Sequence, residues 1–163
     1  MGNTTTGVKA GAIAGIIYGL VLGLLSYVTV ISEKSLIIAA LEKNLPPSTP
    51  FTPDQLYEIA LIFTPAVAAT LGILGGLVIG AIYGRLFDVI PGRTSVIKGV
   101  LVGVILWVIL GVLFDLSDLQ YGLAVYLGDV AEGLFGAMLF GVLLGYFFGR
   151  FTRPPDPAIH GYS

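Results

Sequence analysis

Glycine returns every fourth residue at Gly7, Gly11, Gly15, Gly19 and Gly23, inside the apolar run VKAGAIAGIIYGLVLGLLSYVTVI. In a soluble helix each would cost about 1 kcal/mol relative to alanine, so something that only bare backbone permits must offset the ladder. Close approach of a second helix is that offset. Lipid tails are as apolar as leucine, so helices in a bilayer associate mainly through packing, and small residues at four-residue spacing let two backbones touch. The pattern recurs after Ala68 at Gly72, Gly76, Gly80 and Gly84. It returns at Gly99, Gly103 and Gly111, with Trp107 on the intervening rung, and at Gly133, Gly141, Gly145 and Gly149 around Ala137. All sixteen glycines are predicted to be helix-packing positions. Four residues overshoot a 3.6-residue turn, so partners following such a ladder should cross in the right-handed sense, near about −40°.

With 56% hydrophobic and 11% charged residues and a mean hydropathy of +0.95, the chain has too little polar surface to cover a soluble domain of its size. The pattern predicts an all-α integral membrane protein with four transmembrane helices arranged as two tandem hairpins. The spans fall at about residues 8–31, 54–87, 95–114 and 129–151, with a long outer loop over 32–53. Residues 1–153 then form one membrane domain, and the proline-rich residues 154–163 an extended tail. Val8–Ile31 is read as a true span rather than a removed signal, since only seven residues precede it. Each span is near or above the roughly 20 residues a helix needs to cross hydrocarbon.

Local signals set the boundaries. In the first loop, SLIIAALEKNL over Ser35–Leu45 fits a short helix lying at the interface or an ordered loop over the bundle end. Thr52-Pro53-Asp54 reads as an N-cap, a proline at the first helical position and an acid in the first turn. Pro65 should kink the helix near Leu61–Pro65, and Pro91-Gly92 should turn the chain before the third span.

A slide of 65 residues lays Ala68-Gly72-Gly76-Gly80-Gly84-Arg85 on Gly133-Ala137-Gly141-Gly145-Gly149-Arg150, and a slide of 88 lays Gly11, Gly15 and Gly23 on Gly99, Gly103 and Gly111. The slides differ because the first hairpin has the longer connection. This predicts an internal duplication with a pseudo-two-fold axis along the membrane normal.

Charge sets orientation. Lys9, Arg85, Arg93, Lys98, Arg150 and Arg153 lie on one side of the spans, against Lys34 and Lys43 on the other. That other side carries eight of the ten carboxylates, leaving Asp88 and Asp156. The positive-inside rule then puts both termini in the cytoplasm. The acidic pI of about 5.1 speaks against a nucleic-acid partner. Two asparagines, two glutamines and two methionines fit the avoidance of thermolabile residues in thermophiles, and the expected location is a prokaryotic cell membrane.

Chemistry-bearing residues are few. The chain has no cysteine, and its only histidine, His160, is in the tail, so no metal or redox cofactor is expected. Asp115, Asp118, Asp129 and Glu132 form the candidate cation or partner site: acids at the outer mouth could converge, although acids at a helix start also complement its dipole. Glu132 is singled out as an ionisable group that could lie a turn inside the hydrocarbon. Asp88 is expected to pair with a neighbouring arginine. Trp107, mid-span, and Tyr18, Tyr83 and Tyr146 are expected to fill gaps between helices, the indole N–H seeking a carbonyl. No nucleophile–base pair or phosphate cradle is present, which excludes an enzyme. Two functions remain: an accessory or scaffolding subunit that associates with itself or other membrane subunits, or a small ion or solute channel or carrier with an acidic outer vestibule.

Overall fold

The computed structural model describes residues 4–112 and 123–153. Its regular elements are all helical: α1 (Thr4–Ser32), α2 (Lys34–Asn44), α3 (Pro53–Leu86), α4 (Ser95–Leu106) with a π-helical continuation over Trp107–Val112, and α5 (Leu123–Thr152). No strand occurs among the described residues. Among the described residues three helices are long and apolar enough to cross a membrane: α1, α3 and the Tyr126–Thr152 portion of α5. The apolar helix over Ser95–Ile109 is shorter. The third predicted span, 95–114, is over its described residues a 12-residue α-helix, Ser95–Leu106, that widens into the π turn at Trp107.

Helix ends follow from local chemistry. The chain breaks at Glu33, whose carbonyl accepts from Ile37 N at 3.0 Å, so α2 restarts at once. Pro46-Pro47 then prevents α2 from continuing. Its Leu36 is 69% exposed and the helix has no buried residue. At the start of α3, Thr52 and Gln55 form a reciprocal capping box: Gln55 N donates to Thr52 Oγ1 at 3.3 Å, and Thr52 N donates to Gln55 Oε1 at 2.9 Å. Pro53 takes the first helical position, where its missing N–H costs nothing. Pro65 lies within α3, which continues on both sides of it as one element. Beyond α3, Gly92 has φ of 142°, a backbone state that L side chains rarely adopt, and Thr94 caps α4 by accepting from Ile97 N.

α5 begins at Leu123, six residues before the predicted start near Asp129. Asp129 and Glu132 are thus on the second and third turns, and no acid occupies the first turn. The dipole argument for those two residues does not apply, because the macrodipole acts within the terminal turn.

The chain divides into two compact units, Met1–Ala14 with Gly76–Ser163, and Gly15–Gly75. In the second, the later part of α1 lies antiparallel to the earlier part of α3. Tyr57 is buried there with the Lys34 ammonium 5.0 Å from its ring centroid. In the first unit, the start of α1 lies against the end of α3, and α4 lies against α5. Its core is Ala10, Ala14, Tyr83, Phe140, Leu144 and Phe148. Tyr83 meets Phe148 edge-on at 5.1 Å, and Phe87 stacks on Phe148 at 4.4 Å. The Tyr83 hydroxyl donates to the Ser95 carbonyl at 2.5 Å. Lys98 closes the cluster: its ammonium donates to the Phe87 carbonyl at 2.6 Å, just past the end of α3, and lies 4.2 Å from the Phe87 ring centroid.

Thr52→Ala removes half of the capping box and should lower stability by about 1 kcal/mol, whereas Thr52→Ser should be close to neutral. Far-UV dichroism during titration of dodecylmaltoside micelles with SDS measures both.

Candidate functional site

The glycine-lined contacts come first. At Gly7 an added Cβ would lie 2.7 Å from the Cα of Gly84, and at Gly11 the same atom would lie 2.7 Å from the Cα of Gly80 and still nearer the Gly76 carbonyl oxygen. In the other unit, a Cβ at Gly19 would be 2.5 Å from the Ala69 carbonyl oxygen, and one at Gly23 would be 2.9 Å from that of Pro65. Gly72 reciprocates, facing the Cα of Gly19 at 2.5 Å and the Gly15 carbonyl oxygen at 3.5 Å. Every obstructing atom here is backbone, so no rotamer change can relieve it. Where the Cβ would be, a Cα–H bond points at the opposing carbonyl, a weak hydrogen bond of about 0.5–1 kcal/mol.

The α4–α5 contact has the same form. A Cβ at Gly99 would be 2.9 Å from Gly145 N, one at Gly103 3.1 Å from the Ala137 carbonyl carbon, one at Gly141 2.5 Å from the Gly99 carbonyl oxygen, and one at Gly145 2.5 Å from the Cα of Val96. The two registers are related by numbering alone. Gly11 faces Gly76 and Gly80, while Gly99 faces Gly141 and Gly145; Gly7 faces Gly80 and Gly84, while Gly145 and Gly149 both face Ser95. Adding 88 on α1 and 65 on α3 converts the first set of partners into the second.

Three glycines have different neighbours. Gly111 meets Cδ1 of Trp107, one turn earlier on its own helix, at 2.9 Å rather than a partner helix. Gly133 meets the same indole at 3.3 Å from α5, and Gly149 meets the Ser95 hydroxyl. The indole therefore occupies the rung that glycine holds elsewhere. Its Nε1 donates to the Val130 carbonyl of α5 at 2.9 Å. The widened π turn begins at this residue. Two glycines outside the ladders, Gly75 on α3 and Gly128 on α5, would carry a Cβ that meets nothing within 4 Å among the described residues. The four-residue spacing could not single these out.

Of the acidic residues, Asp115 and Asp118 lie outside the described residues, as do the side chains of Asp129 and Glu132. The α5 backbone carries the latter two at i, i+3 spacing. Among the described residues no group of three or more His, Cys, Asp or Glu side chains could hold a metal ion.

Gly80→Ala should destabilise the fold by about 1–3 kcal/mol, because its Cβ meets the Gly11 backbone. Gly75→Ala should leave stability unchanged or raise it by up to about 1 kcal/mol, since only helix propensity changes. SDS titration of the two variants checks the contrast. The chain matches no protein-family model, and no curated protein or solved structure is significantly similar to it.

Proposed function

We propose that this chain is a small polytopic membrane protein with four spans in two tandem hairpins of common descent, serving as an accessory or scaffolding subunit within a homo-oligomer or larger membrane complex. The duplication reading draws support from the partner sets that the offsets of 88 and 65 interconvert. It draws more from Tyr83 and Phe148, which are related by the offset of 65 and touch each other, as residues beside a two-fold axis do. α4 with its π continuation is taken as the third span, paired with α5, the fourth, as α1 is with α3. The lysine and arginine distribution puts both termini in the cytoplasm. The amide-poor composition fits a thermophilic prokaryote.

The observation that carries the scaffolding role is Gly75. A bare-backbone position inside a long apolar helix lowers helix propensity, and this one has no neighbour within 4 Å among the described residues to offset that. A helix from another subunit could dock there. Around it, large apolar side chains face outward, Leu71 at 63% and Leu74 at 54% exposed. Transport by a channel or carrier is the second reading, favoured by the placement of Asp129 and Glu132 on α5 beyond its first turn. Against it, the paired helices meet backbone to backbone at their glycines, which leaves no room for a solute at those contacts.

Purification in mild detergent, with mass analysis of the intact particle, tests the choice. The scaffolding role expects a mass above the monomer or a co-purifying subunit, lost in Gly75→Leu while SDS stability is kept. A monomeric wild type whose ion flux in liposomes disappears in Glu132→Gln or Asp129→Asn would overturn it in favour of transport.

A further inference from the structure

The first turn of α4 and the last turns of α5 border an open pocket of about 250 Å³, lined by Ser95, Val96, Tyr146, Gly149, Arg150 and Arg153. Gly145 makes the close approach possible: a Cβ there would lie 2.5 Å from the Cα of Val96, a backbone atom that cannot swing aside, so glycine lets the start of α4 come close to α5; Gly149, one turn on, meets the Ser95 hydroxyl. Arg150 and Arg153, three residues apart, reach the same space. α4 carries no carboxylate, and α5 carries none after Glu132, so neither helix supplies an acid to neutralise the pair. Around the same opening, Thr94 takes the Ile97 and Lys98 amides, at 3.3 Å and 3.1 Å. The amides of Ser95 and Val96 belong to the first turn, where no intrahelical acceptor exists.

We infer that this pocket binds a phosphate group, borne by an anionic phospholipid or free in solution. Guanidinium forks match phosphate oxygens in geometry and charge, and the amides at the start of α4 add neutral donors. The volume is below that of pockets for drug-sized ligands, which suits a compact anion. The site lies where α5 leaves its apolar stretch, on the side rich in lysine and arginine, which is the level of anionic headgroups. This inference is independent of any subunit contact at Gly75.

Native mass spectrometry from detergent micelles, with phosphatidylglycerol, phosphatidylcholine or inorganic phosphate as probe, tests it. The expected result is retention of phosphatidylglycerol over phosphatidylcholine by about tenfold, abolished in R150Q/R153Q and partly kept in R150K/R153K. Arg153→Gln alone, beyond the end of α5, should weaken retention without touching the fold, which controls for unfolding of the double variant. Phosphatidylglycerol adducts that survive millimolar inorganic phosphate identify the lipid as the source. Adducts of inorganic phosphate alone, lost in R150Q/R153Q, identify a soluble anion. Equal retention of both lipids by the wild type with no phosphate adduct, or retention unchanged in R150Q/R153Q, overturns the inference.

Discussion

Contact between two helix backbones, with no side chain intervening, is the constraint on which this structure depends. In water, burying apolar surface would drive helices together; in lipid that drive is absent and dispersion at short range must replace it. Dispersion falls steeply with separation, so the shortest approach decides the strength, and glycine permits the shortest. The Gly7–Gly84, Gly11–Gly80, Gly19–Gly72 and Gly99–Gly145 contacts each bring main-chain atoms where a methyl group would not fit. Each also aims Cα–H at a carbonyl, adding a polar component that lipid cannot compete for.

That constraint explains which parts of the chain could be foreseen. The helical, membrane-spanning character is legible because it needs only length, hydropathy and glycine at fixed spacing, and α1 and α3 have all three. The Thr52-Pro53 start is legible because capping is a local matter of four residues. The start of α5 is not. Asp129 follows Gly128 and so resembles the opening of a helix, yet the apolar residues from Leu123 are helical already. The role of Gly111 is likewise hidden, since spacing alone cannot distinguish a glycine that faces a partner helix from one that makes room for Trp107 on its own.

At the end of the first unit that holds Tyr83, a different kind of contact takes over. Aromatic rings and one ammonium replace the glycine seam: buried Tyr83 meets Phe87 and Phe148 edge-on, Phe87 stacks on Phe148, and Lys98 binds both a ring face and a carbonyl of the same residue, Phe87. A cation with its hydrogen bond and its π partner supplied locally stays near the membrane surface at modest cost, whereas an unpartnered one would have to reach water. The glycine seams draw paired helices together, and this group joins the loop after α3 to α4 and α5.

Trp107 gives the α4–α5 pair a property of its own. It is the chain's sole tryptophan, and its ring nitrogen is tied to the Val130 carbonyl across the interface. Long-wavelength ultraviolet emission from the whole polypeptide therefore originates at one junction. Any event that parts these two helices exposes that fluorophore to lipid or water, so the molecule contains an intrinsic optical gauge of its own opening, without a label.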